Sequence, residues 1–318
     1  MAVLRDRRRL LLLGLSFAGL VVALYTLHRL VDLPRVIAVL READTRWVAA
    51  GAASSFVAPV LVAWRLHLLV GMSGAPSSAV RAWNAVMAGV TLNLLLPLRG
   101  GDAVRAVVLA TRREQVPSLF GVVLLERFLD VFTLGLLALL ASLGGFSAAT
   151  LPALGACVAA LGVIVVLGAG GRLPVKRELG EQVGRAARIL RGRPGVALAS
   201  VALGLGGWIA NVAVMAAALR AVGAEGPLVD VFRATPVAIL VGVVPVTVGG
   251  IGTRDTAMVT LLAGWGAGER VAAAAFVYTL LNFFLQAAVG LLSLGVESLR
   301  HIRGQVALLE QERGGEAA

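Results

Sequence analysis

The residues of this chain best suited to handling charge stand where charge is most costly. Glu126, Arg127 and Asp130 lie inside the apolar run Pro117 to Leu143, and ionisable residues at such depth normally face a cavity or a partner. Helical spacing puts Glu126 and Asp130 on one face and lets Arg127 pair with Asp130 at i,i+3. Arg99, Asp102 and Arg105 flank a proline and the pair Gly100-Gly101 in NLLLPLRGGDAVRAV, residues Asn93 to Val107. Arg254 and Asp255 follow Gly249 and Gly250 in the partial echo PVTVGGIGTRD, residues Pro245 to Asp255. Guanidinium forks suit phosphate oxygens, and the free N–H groups of the half-helices that start at such breaks suit the same anion. The expected chemistry is recognition of an anionic headgroup. The carboxylates would pair with the arginines in an empty site, or bind an amine. Asn282, in the last apolar run, completes the candidate binding set. For Asp102 and Asp255 helix capping is the simpler role, and Asn93 is read as satisfying backbone groups near the break.

Catalysis has less support. The sequence offers no nucleophile–base pair at recognisable spacing and no Walker A pattern, so no catalytic residue and no direct use of ATP are expected. Cys157 is the single cysteine, and His28, His67 and His301 are scattered, so neither a disulfide within the chain nor a metal or other cofactor is expected.

The elements that position these residues follow from composition. Hydrophobic residues are 58% of the 318, charged residues 15%, and the mean hydropathy is +0.89, against roughly 25% charged in a soluble domain. Several apolar runs reach the ~20 residues that cross a bilayer as a helix, and no long period-2 pattern suggests a barrel. The fold class is an all-α polytopic integral membrane protein. A formal charge of +11 sits mostly in loops between apolar runs, where it reports membrane orientation rather than nucleic-acid binding.

In order, Leu10 to Leu27 is a retained first span, and the connector up to residue 46 allows a short interfacial helix. Trp47 to Val70 is the second span, with Trp64, Arg65 and His67 near its end as interfacial anchors. Both Pro/Gly stretches are read as tips of re-entrant helical hairpins, because an opened backbone in lipid must be buried in protein or line a wet cavity. Ordinary loops between full spans are the alternative. Thr150 to Leu167 is a further span, Gly171 to Gly195 a basic cytoplasmic loop, and Val196 to Val222 and Val271 to Val296 the remaining spans. Span, hairpin, span then occurs twice with opposite orientation, an inverted-topology repeat over residues 47–145 and 196–298. Residues 1–46 precede it, 146–195 link the halves, and 299–318 form a cytoplasmic tail; both termini are expected inside. The orientation signals also fit full double crossings.

The pattern Asn93, Pro97, Arg99, Gly101-Asp102, Arg105, Glu126-Arg127, Asp130, Pro245, Gly249-Gly250-Ile251-Gly252 and Arg254-Asp255 resembles the flippase-like membrane domain of lysylphosphatidylglycerol synthases, which includes the membrane part of the multiple peptide resistance factor. The resemblance covers nearly the whole chain. It implies a lipid flippase for an aminoacylated phosphatidylglycerol or a polyprenyl-phosphate-linked sugar. Synthase members carry a large soluble domain after the membrane part, and this chain stops at Ala318, so the resemblance implies a stand-alone member that is not itself an enzyme. The family's second glycine motif usually ends in Glu where Asp255 stands, and its arginine near Asn282 is missing here. Partners expected are membrane lipids, with a second copy of the chain or a lipid synthase or glycosyltransferase as further candidates. An intramembrane enzyme acting on a lipid phosphate and an accessory subunit are the rival readings. The Ala-, Gly-, Val- and Arg-rich composition with a single lysine points to a bacterial cytoplasmic membrane.

Overall fold

A computed structural model describes residues 33–95, 101–141, 177–243, 252–265 and 268–293, with Gly155 and Ala159, and among the described residues every regular element is helical. Leu33–Arg41 forms α1, which buries Val36. Asp44 then caps α2, Thr45–Ser55, by accepting the Arg46 N–H at 2.8 Å. Phe56 separates α2 from α3, Val57–Met72, and the two together cover 28 residues. Ala79–Leu95 is α4 and Gly101–Leu109 is α5. Val116–Ala141 is α6 and Arg177–Arg191 is α7. Pro194–Ala221 is α8, opened by a proline at its first position, where the missing N–H costs nothing. Leu228–Val243 is α9 and Thr253–Leu261 is α10. Gly268–Ser293 is α11, widened to a π-helix over Leu280–Leu285.

Lengths sort these helices. The α2–α3 pair, α8 and α11 are long and apolar enough to cross a membrane. With 26 residues α6 matches them in length but carries Glu126, Arg127 and Asp130. At 1.5 Å per residue the nine-residue α5 and α10 reach only about 14 Å, less than half a ~30 Å hydrocarbon core. Each short helix packs on the longer one before it, α5 on α4 and α10 on α9.

Among the described residues the apolar interior has two large clusters, with a small third one at Ala138 and Val237. Leu66 and Leu69 of α3, Val86 and Met87 of α4, Ala106 of α5, and Val122 and Leu125 of α6 form one cluster. The second joins Met215 and Leu219 of α8, Val231 of α9, Met258 of α10 and Ala273, Val277 and Tyr278 of α11. Leu137 near the end of α6 belongs to this second cluster, so α6 serves both.

One sequence expectation changes. The basic stretch at 171–195 is not a loop throughout, because residues 177–191 form α7. Val183, Ala186, Ala187 and Leu190 recur at helical spacing, are buried, and belong to the same apolar cluster as α6, while Arg185, Arg188 and Arg191 stay exposed. The charge of the stretch hid a period-3.6 apolar face. The spans at Leu10 to Leu27 and, apart from Gly155 and Ala159, at Thr150 to Leu167 lie outside the described residues, as do both hairpin tips and the tail.

Candidate functional site

Glu126, fully buried on α6, is the centre of a charge cluster drawn from three helices. Its Oε1 accepts from Arg65 Nη2. Its Oε2 accepts from Arg127 Nε at 2.8 Å and lies 2.6 Å from Arg127 Nη2. Arg105 Nη1, from α5, stands 3.6 Å from the same oxygen. One turn along α6, Asp130 Oδ1 accepts from Arg65 Nη2 at 2.7 Å, and its Oδ2 is 3.4 Å from Arg127 Nη1. Asp102 Oδ1 is 3.4 Å from Arg105 Nε. Three guanidinium groups thus face three carboxylates, and the described cluster is electrically neutral.

Neutrality does not mean that every donor is used. Arg105 is 4% exposed, yet its Nε and Nη1 make no hydrogen bond, since both carboxylates sit too far off or out of line. Arg65 Nε and Nη1 are likewise buried without a hydrogen-bond partner. Buried donors without acceptors are costly, and here they belong to the groups best shaped for phosphate.

The backbone fixes this arrangement by a close approach of α4 and α5. Asn93 Oδ1 accepts the Gly101 N–H at 3.0 Å, closing the gap between the end of α4 and the start of α5. A side chain at Gly101 would collide with the Gly89 carbonyl and with Asn93, so the close approach requires glycine. The Asp130 carbonyl accepts from Thr133 Oγ1 at 3.0 Å and from Trp208 Nε1 of α8 at 3.1 Å, which ties the cluster to the central helix.

The second Pro/Gly stretch supplies a separate group. Asp255 Oδ2 accepts the Gly252 N–H at 2.9 Å, with Gly252 at φ 88°, a conformation that favours glycine. Its Oδ1 accepts from Arg254 Nη2 at 2.8 Å and Nε at 3.2 Å. The Arg254 guanidinium also donates to Thr279 Oγ1 and lies 4.9 Å from the Tyr278 ring centre and 5.0 Å from that of Phe283. Tyr278 in turn donates to Asn211 Oδ1 at 2.9 Å. Asn282 sits in the π-helix, where its Oδ1 accepts from Gln286 Nε2 at 3.3 Å and its Nδ2 is buried without a partner. Gln286 also donates to the Ser55 carbonyl at 2.7 Å, one of the acceptors that the helix break at Phe56 leaves free.

The structure therefore gathers Gly101, Asp102, Arg105, Glu126, Arg127 and Asp130 into one site. Arg254 and Asp255 form the second group, and Asn282 pairs with Gln286. Asp255 both caps its helix and holds Arg254, whereas at the first break Asn93 accepts the Gly101 N–H and Asp102 faces Arg105. Arg99, Gly100, Gly249 and Gly250 lie outside the described residues. Arg65 corrects the sequence reading. It is no interfacial anchor but a fully buried partner of Glu126 and Asp130, because α3 continues about two turns beyond it to Met72. Trp64, on another face, is 51% exposed, and His67 Nδ1 pairs with Ser77 Oγ at 2.6 Å. A count of buried charges carried the missing signal: Glu126 and Asp130 present two carboxylates in one apolar helix and Arg127 neutralises one. Among the described residues no group of three or more His, Cys, Asp and Glu side chains is placed to hold a metal.

The chain is similar to the glycosyltransferase AglD of Haloferax volcanii, with 37% identity over 133 residues, which are 42% of this chain and 21% of that protein. The match thus spans about a fifth of the relative's length. The family model described as the lysylphosphatidylglycerol synthase TM region matches residues 11–290. A match over so much of the chain, on a helical protein with several membrane-length helices, means that it belongs to the lysylphosphatidylglycerol synthase transmembrane-region family.

Proposed function

We propose that this membrane protein moves a lipid with an anionic, phosphate-containing headgroup between leaflets, without altering it chemically. The observation that carries the reading is Arg105: a buried guanidinium among membrane helices whose Nε and Nη1 make no hydrogen bond although Asp102 and Glu126 lie at 3.4 and 3.6 Å. Burying ion pairs costs desolvation energy that a hydrophobic packing would avoid, so a stability role alone explains the cluster poorly. A headgroup phosphate would take the idle donors of Arg105 and compete with Glu126 for Arg127.

The names of the family and of the similar protein suggest the headgroups to try. The first points to an aminoacylated phosphatidylglycerol and the second to a sugar, which the family resemblance would place on a polyprenyl phosphate; both lipids carry phosphate. The reading includes a bacterial cytoplasmic membrane with both termini on the cytoplasmic side. It also includes two inverted repeats, in which α4–α5 and α9–α10, of 17 and 9 and of 16 and 9 residues, are re-entrant hairpins.

The test is leaflet exchange in proteoliposomes with fluorescent phosphatidylglycerol, its aminoacylated form and a polyprenyl phosphate. Exchange above that of protein-free vesicles is expected for at least one lipid, slowed about tenfold or more in Arg105→Gln and Arg127→Gln, the loss of charge-assisted bonds. Folded protein that moves none of them ends the transport reading. The likeness to a glycosyltransferase then favours a second one, an accessory membrane part for such an enzyme, which a co-purification with it would support.

A further inference from the structure

Arg65 and Arg105 face different oxygens of Glu126. Arg65 holds Oε1, whereas Arg105 and Arg127 face Oε2. Its Nη2 serves both Glu126 and Asp130, and its Nε and Nη1 are buried with no hydrogen-bond partner. A lysine ammonium would suffice for two carboxylates converging on one donor. A guanidinium whose other edge is idle has the geometry for a further oxyanion.

The surroundings of the two idle edges differ in a consistent way. The Arg105 side chain lies against Gly89 of α4, and Arg65 Nη1 lies against Gly204 of α8, where a Cβ would come within 2.7 Å of it. Each edge thus lies against a glycine of a different helix, with the Thr133 side chain also beside Gly204.

We infer that Arg65 is a second phosphate ligand of the site, so that Glu126 separates two phosphate positions in series, one at Arg105 under α4 and one at Arg65 under α8. This rests on the transport reading above. In passing from one position to the other, the phosphate and the Glu126 carboxylate exchange arginine partners. The ligand class is a phosphate ester on a lipid, or free phosphate, which offers the same oxygens.

The test measures binding to the purified full chain in detergent by calorimetry, using dihexanoylphosphatidylglycerol and, separately, inorganic phosphate. Arg65→Lys keeps the charge that Glu126 and Asp130 need but has no second edge. The expected result is unchanged thermal melting with short-chain lipid binding weakened about tenfold or more, as for loss of a charge-assisted bond. Binding equal to wild type shows that Arg65 is an ion-pair residue only and overturns the inference. Should Arg65→Lys fail to fold, Gly204→Ala crowds Nη1 while leaving every charge in place: weaker binding supports the inference and unchanged binding overturns it. Inorganic phosphate binding as tightly as the lipid overturns the lipid assignment, and a folded wild type that binds neither overturns the site. Binding that depends on Arg65 in protein showing no leaflet exchange supports the site and rejects transport.

Discussion

Arg105 lies across Gly89, and a Cβ on residue 89 would stand 2.9 Å from Arg105 Cγ and 3.1 Å from its Cδ. The guanidinium of α5 keeps its place beside Glu126 because α4 has no side chain there. Gly89→Ala gains about 1 kcal/mol in helix propensity but overpacks a buried contact at about 1–3 kcal/mol. A lower melting temperature in detergent is therefore expected. The control is Gly71→Ala, where an added Cβ meets nothing within 4 Å and a higher melting temperature is expected. Equal shifts in the two variants would mean that the Arg105 stem moves freely.

Glu126→Gln should be the most damaging conservative change in the cluster. It leaves Arg65, Arg105 and Arg127 without their common carboxylate, and breaking a buried ion pair costs about 3–5 kcal/mol. Asp102→Asn, whose carboxylate faces Arg105 at 3.4 Å and is 13% exposed, should cost less than Glu126→Gln. Thermal melting of the two variants gives the ranking. The reverse order would displace Glu126 from the centre of the cluster.

Helix α7 is held to α6 by its apolar face, so Val183→Asp, at a position 3% exposed, should release it. Burying an unpaired carboxylate is prohibitive, and detachment is the cheaper outcome. Limited trypsin digestion should then cut at Arg185, Arg188 and Arg191 faster than in wild type. An unchanged digestion rate would mean that α7 does not depend on this face.

The re-entrant reading is open to a labelling test. In a Cys157→Ser background, the re-entrant reading, in which the tip enters from the cytoplasm without crossing, expects Leu98→Cys in the first Pro/Gly stretch not to react with a membrane-impermeant maleimide added outside intact cells. Rapid labelling from outside would make the pair a full double crossing and remove the inverted repeat with it.

Much of the local structure was legible in the chain. The apolar run before Pro97 is α4, ending at Leu95, and α5 starts at Gly101, where proline and glycine punctuation predicts a break. The Arg127–Asp130 pair, 3.4 Å apart, follows from i,i+3 geometry on one helix. The helix within the basic stretch was legible too, but only to a reading that set aside its arginines and followed Val183, Ala186, Ala187 and Leu190.

By itself the sequence determined a helical membrane protein, the breaks at its two Pro/Gly stretches though not the one at Phe56, and the buried charges on α6, because hydropathy, helix period and backbone punctuation are local properties. Only the tertiary structure decided the partners. Arg65 meets Glu126 across 61 positions, and Arg254 stacks on Tyr278 and Phe283 of another helix. An arginine in an apolar helix has the same local signature whether it reaches for headgroups or for a carboxylate, and the packing of the neighbouring helix selects between them.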